Sequence, residues 1–163
     1  MAEARLATLD VRAAAYAGVA AGTLATLVQV ALWWVAGDAL LPMLLRDTRL
    51  TAAIVLGRDA LRPTECSWTI MATATLLHYS LSIAYSLLLA GFIAGRESRI
   101  ALLTGAAFGL ALFVTNLYGF TLLFPWFAVA RDWITLLAHA VFGISSAACY
   151  QALTRAGFTS RAT

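Results

Sequence analysis

Four long apolar runs, over about 13–36, 68–94, 100–123 and 132–153, leave this chain little choice of fold. A hydrocarbon layer of ~30 Å is crossed by an α-helix of roughly 20 apolar residues, and the backbone inside it must satisfy its own hydrogen bonds. Each run has that length. With 62% hydrophobic and 12% charged residues and a mean hydropathy of +0.85, the composition is that of an integral membrane protein and falls outside the range of a soluble globular domain. The 163 residues hold four spans and their connectors, so a single transmembrane domain over 1–163 is expected, with no separate soluble module.

Within the runs one pattern occurs twice. Arg12, Gly18, Gly22 and Gln29 recur 87 residues later as Arg99, Gly105, Gly109 and Asn116, with the same gaps of six, four and seven. Each copy opens a long apolar segment, which reads as two related helical hairpins in tandem. Gly18, Gly22, Ala25 and Gln29 share one helix face, as do Gly105, Gly109, Leu112 and Asn116. Paired glycines at this spacing let a second backbone approach closely, so these four are candidate helix-packing positions. The second and fourth spans carry their own polar stripes, Thr75, His78, Ser82 and Tyr85 in one and Thr135, His139, Gly143, Ser146 and Tyr150 in the other.

The connectors have separate signals. Residues 1–12 read as a short amphipathic lead-in. The first apolar run is about 24 residues long, beyond the ~7–15 of a signal-peptide core, and is expected to stay as an anchor. The connector 37–67 holds a candidate short helix, capped by Asp47 and ended by Gly57, that is too short to span and is read as a surface helix across the mouth of the bundle, with a re-entrant segment as the alternative. Arg46 with Asp47, and Arg58 with Asp59, read as local ion pairs. Trp33 and Trp34 read as interface anchors, Phe124, Pro125, Trp126 and Phe127 as a rigid aromatic turn, and Asp132 as the cap of the fourth span.

Charge follows topology rather than nucleic-acid binding, which is not expected. The chain has eleven arginines and no lysine, mostly between the apolar runs. The side with both termini and the 95–99 turn carries an excess of three positive charges, while the other side is balanced, so both termini are placed in the cytoplasm and the protein in a bacterial inner membrane. Cys66 precedes the second span and Cys149 lies some seventeen residues into the fourth, which at ~1.5 Å per residue separates them by more than ~20 Å. A disulfide is therefore not expected.

Gln29, His78, Asn116 and His139 fall at comparable depth in their spans, and the chain has no other histidine. With the first span opposite the third and the second opposite the fourth, the histidines would face each other across one diagonal. This arrangement resembles the haem-binding four-helix core of cytochrome b proteins, on the strength of His78, His139 and the four glycines. The resemblance implies a single haem b with His78 and His139 as axial metal ligands and the glycines making room for the ring. A lone Zn or Cu ion is less well provided for, because no Cys or nearby carboxylate completes the ligand set. The plainer alternative is that the four polar side chains are interhelical hydrogen bonds that fix the register of the bundle. A solute, proton or quinone path is the third. No GxSxG, HExxH, CxxC or phosphate loop is present, and no carboxylate is in register with His78 and Ser82, so no catalytic residue is assigned and an enzyme is not expected.

The run 44–54, Leu-Leu-Arg-Asp-Thr-Arg-Leu-Thr-Ala-Ala-Ile, together with Phe124-Pro125-Trp126-Phe127 and His139-Ala140-Val141-Phe142-Gly143, resembles a group of small proteobacterial membrane proteins often labelled sodium:proline symporter-like. The label implies transport, yet symporters of that type have ten or more spans with broken helices, which four spans do not supply. The reading reached from the sequence is an all-α membrane protein, a four-transmembrane-helix bundle of two repeated hairpins with a short surface helix in the first outer loop. It is expected to serve as an accessory or interaction subunit, in a homo-oligomer or a larger membrane complex, with a single-haem electron carrier or a transport component as alternatives.

Overall fold

The structure is a computed structural model and describes residues 9–62 and 67–157. Most of the expected lead-in, Cys66 with its separation from Cys149, and Arg5 and Arg161 of the charge balance lie outside the described residues. Among those described, all regular structure is helical. Helix α1 covers Val11–Ala36, α2 Leu40–Leu56, α3 Trp68–Ile93, α4 Ser98–Val114 and α5 Trp133–Arg155. The spans α1, α3, α5 and the stretch Ser98–Leu122 are long and apolar enough to cross a membrane.

Local chemistry sets the helix ends. Asp10 caps α1 by accepting from the Ala13 N–H at 2.9 Å, Ser67 caps α3 through Ile70, and Asp132 caps α5 through Thr135 at 2.7 Å. At the other ends, Gly37 and Gly57 take positive φ and stop α1 and α2. The Gly57 stop and the Asp132 cap agree with the sequence reading. Asp47 does not cap α2: that helix starts at Leu40 behind Ala39, with Pro42 in its first turn, and Asp47 sits in mid-helix. Asp59 pairs with Arg62 at 2.9 Å rather than with Arg58, whose guanidinium lies over the Trp126 ring at 5.9 Å.

In cross-section the spans form a bent row, α4 beside α5, α5 beside α1 and α1 beside α3. The ends of the row, α3 and α4, barely meet. The row's tightest parts are built on small residues. Ala13, Ala14 and Ala17 of α1 pack with Leu89, Ala90 and Ile93 of α3, Ala101 of α4 and Ala147 and Tyr150 of α5, in the half that holds the chain ends. In that half Ser86 and Ser146 share a hydrogen bond at 2.8 Å between α3 and α5.

Toward the other end α2 lies against the bundle, chiefly on α3. Its Ala52 and Ala53 pack with Ala74 of α3, and Leu50 packs with Phe113, Leu117 and Ala130. The indole of Trp126, in a 3-10 turn over Pro125–Ala130, donates to the Leu50 carbonyl at 3.2 Å and ties α2 to the connector that precedes α5.

The third span is not the uniform helix expected over 100–123. α4 ends at Val114, continues as a π turn over Thr115–Gly119 and tightens to a 3-10 turn over Phe120–Leu122. A π turn removes the ordinary i to i−4 partners and needs other donors for its carbonyls. Arg131 supplies one: its Nε donates to the Leu117 carbonyl, while its Nη2 donates to the Thr121 hydroxyl, both at 2.7 Å, with the guanidinium 4.5 Å from the Tyr118 ring centre. Thr121 donates in turn to the Leu117 and Tyr118 carbonyls.

Candidate functional site

Beneath α2 lies a cavity of about 600 Å³, bordered by all five helices and by the turns before α5. Gln29, His78, Asn116 and His139 all border it. Thr75, Ser82, Tyr85 and Thr135 of the two polar stripes border it too, with Asp47 and Thr48 from α2. The remaining wall is apolar and rich in rings, including Phe120, Phe124, Phe127 and Phe142.

The polar residues fall into two groups. One is a directional chain across α3, α4 and α5. Tyr85 donates to Asn116 Oδ1 at 2.9 Å, Asn116 Nδ2 lies 3.4 Å from His139 Nε2, and His139 Nδ1 lies 2.8 Å from the Thr135 carbonyl. A carbonyl only accepts, so Nδ1 carries the proton and Nε2 is left as the acceptor for Asn116. Asn116 reaches both neighbours from the π turn, where the widened helix re-aims its side chain.

The second group closes the cavity beneath α2. Gln29 Nε2 donates to Asp47 Oδ2 at 3.1 Å, and Arg46 Nε donates to Asp47 Oδ1 at 2.8 Å. The Arg46 and Asp47 side chains are 26% and 30% exposed, so this pair of the sequence reading is partly shielded from water. Burial pushes the Asp47 carboxyl above its ordinary value; Arg46 pulls it down and Asp132 raises it, with Gln29 lowering it least. Among the described residues, Asp47 is the only Asp, Glu, Lys or Arg on the cavity wall.

His78 belongs to neither group. Its Nε2 is buried against the Gly22 backbone of α1 without a well-formed hydrogen bond, and its ring stands edge-on to Tyr79, whose hydroxyl shares a 3.0 Å hydrogen bond with Thr23 of α1. Two further buried polar atoms on cavity-lining residues have no partner, Trp33 Nε1 and Thr135 Oγ1. The side chain of Trp33 is therefore inside the protein, at 2% exposure, and only Trp34, at 72%, has the surface position expected of both.

The glycines of the two stripes lie where helices touch. A Cβ on Gly18 would fall 2.7 Å from the Ser82 carbonyl, and one on Gly22 2.6 Å from the Ser82 hydroxyl and 3.1 Å from His78 Nε2. A Cβ on Gly105 would collide with the Gly143 carbonyl, and one on Gly109 with the His139 carbonyl. These positions face neighbouring helices rather than open space.

Two residues of the site were not singled out by the sequence, Asp47 as a cavity residue and Trp33, and neither was Arg131 as the donor to the π turn. For Trp33 the signal was present, because it lies four residues beyond Gln29 on the face that already holds Gly18, Gly22 and Ala25. For Asp47 it was the run Leu44, Asp47, Thr48, Thr51 and Ile54, one face of a helix that begins before Arg46. Comparison with family models, curated proteins and solved structures gives no match.

Proposed function

We propose that this chain is a small inner-membrane subunit, made of two related hairpins, that holds a small amphipathic molecule in the cavity beneath α2. The cavity itself carries the reading. Helix bundles pack to near-crystalline density, and a void of about 600 Å³ bordered by more than ten polar side chains is instead the size and texture of a ligand pocket. The tight packing of small residues in the opposite half shows that this sequence closes its helices where no cavity is formed. Kinship of the hairpins is supported by a shared contact: the second glycine of each stripe, Gly22 or Gly109, meets the histidine of the following span, His78 or His139.

The test is extraction of small molecules from protein purified in mild detergent, followed by mass spectrometry. Ala138 and Leu112 border the cavity and are nearly buried. The expected result is a molecule enriched in the wild type and depleted in Ala138→Phe and Leu112→Phe preparations that elute as folded protein. Identical extracts from all three would sink the reading and return the polar residues to a purely structural part in an assembly subunit.

Haem ligation is supported less well by this geometry. His139 Nε2 is already engaged by Asn116, His78 Nε2 is held against Gly22, and the four glycines are covered by helix rather than facing a ring-sized gap. Both histidines would have to turn. A reduced-minus-oxidised absorption spectrum separates the two readings, since a b-type α band lost in His78→Ala and His139→Ala would replace the small-molecule proposal with a redox one.

A further inference from the structure

The uncommitted groups on the cavity wall narrow what it accepts. Resting on the cavity reading above, we infer that the bound molecule is a neutral, lipid-soluble carbonyl compound of the quinone type, whose oxygens accept hydrogen bonds from Trp33 and Thr135. The first argument is donor supply. An indole N–H can only donate, and Trp33 Nε1 is buried without an acceptor in a side chain that is 2% exposed. The Thr135 hydroxyl is likewise without a partner, in a residue 6% exposed at the start of α5. Both residues lie at the α2 end of their helices and both border the cavity. Buried donors are rarely left unpaired, so an acceptor oxygen from outside the chain is the natural complement.

The second argument is charge. Among the described residues Asp47 is the wall's single formal charge, and both of its oxygens are taken, one by Arg46 and one by Gln29. An anionic head would be repelled by that carboxylate in a cavity shielded from water, and a cationic head would find it already neutralised. A neutral dipole avoids both penalties. The third argument is shape and access. Phe120, Phe124, Phe127 and Phe142 offer ring faces to a flat molecule. Leu81 of α3 and Phe120 beyond α4 border the cavity yet are 37% and 42% exposed, so the wall reaches the outer surface of the bundle at these two side chains. A molecule dissolved in the bilayer would enter there.

The experiment is native mass spectrometry of the full chain released from phosphatidylcholine nanodiscs, titrated separately with decylubiquinone, oleate and dodecyltrimethylammonium. The expected result is a saturable adduct of one decylubiquinone per chain, weakened about tenfold in Thr135→Val and in Trp33→Phe, where one donor is lost and the fold is kept. Tighter binding of oleate or of dodecyltrimethylammonium overturns this inference and leaves the cavity reading standing. So does quinone binding that is unchanged in both donor variants. Absence of any adduct overturns the inference, and with unchanged extracts from the cavity-filled variants it removes the cavity reading as well.

Discussion

At the scale of single residues, hydrogen at Cα does more here than side-chain chemistry. Gly109 lies so near the His139 carbonyl that a methyl group cannot enter without moving α4 away from α5, and the displaced backbone carries His139 with it. Gly109→Ala is therefore expected to cost about 1–3 kcal/mol, the range for overpacking a tight contact. Gly91 supplies the control. Nothing lies within 4 Å of a Cβ added there, so Gly91→Ala is expected to be neutral or slightly stabilising. Reversible unfolding in mixed detergent micelles, following helix content, compares the two; equal losses would mean that glycine serves flexibility rather than close approach. The Tyr85, Asn116 and His139 chain lies immediately beside this contact, so loss at Gly109 should also release Asn116 from His139.

At the scale of elements, the end of the third span is the least regular part of the bundle and depends on one cation. Arg131 reaches the Leu117 carbonyl and the Thr121 hydroxyl at once, which a planar guanidinium can do and an ammonium on a single axis does poorly. Arg131→Lys is expected to loosen Thr115–Leu122 while leaving α5 intact, and Arg131→Met to loosen it further, by about 1.5–3 kcal/mol for lost hydrogen bonds to a charged group. Amide hydrogen exchange resolved to peptides reads this directly: protection should fall over 115–122 and stay constant over 133–155. Uniform protection in both variants would show that the π turn holds itself. This element also marks where sequence reading stops. The four spans were legible to within a few residues because length and hydropathy alone dictate them. Gln29, His78, Asn116 and His139 stood out in the sequence as polar residues inside apolar helices, and all four border the cavity. The π turn was not legible, since an apolar window around Asn116 looks the same whether its turns hold four or five residues, and the donor that stabilises it lies fourteen positions away. Asp47 was misplaced for a related reason: a helix start set at Asp47 instead of Leu40 turned a cavity residue into a cap.

At the scale of the whole molecule, α2 is a cover whose fastening titrates. It meets α1 through Gln29 and Asp47, and Arg46 beside Asp47 on the same helix completes the cluster, with Asp132 acting on it from the cap of α5. Burial raises the folded-state value of the Asp47 carboxyl above 3.8, more than Arg46 lowers it. The sign follows from linkage. Between 3.8 and the raised value the folded chain binds more protons than the unfolded one, so the Asp47 contribution is fully present below 3.8 and is lost as pH rises through the folded value. The protein should then hold α2 less firmly at pH 8 than at pH 4, relative to a variant that cannot ionise. Asp47→Asn keeps the shape and one acceptor oxygen without the charge, and is expected to be at least as stable as the wild type at pH 8, with the difference shrinking to zero toward acid. The measurement is hydrogen exchange over 40–56 in both proteins across pH 4–8, corrected for the intrinsic pH dependence of exchange. A wild type that gains protection over the variant as pH rises would show that the ionised Arg46 and Asp47 pair, rather than the neutral carboxyl, is what holds the cover on the cavity.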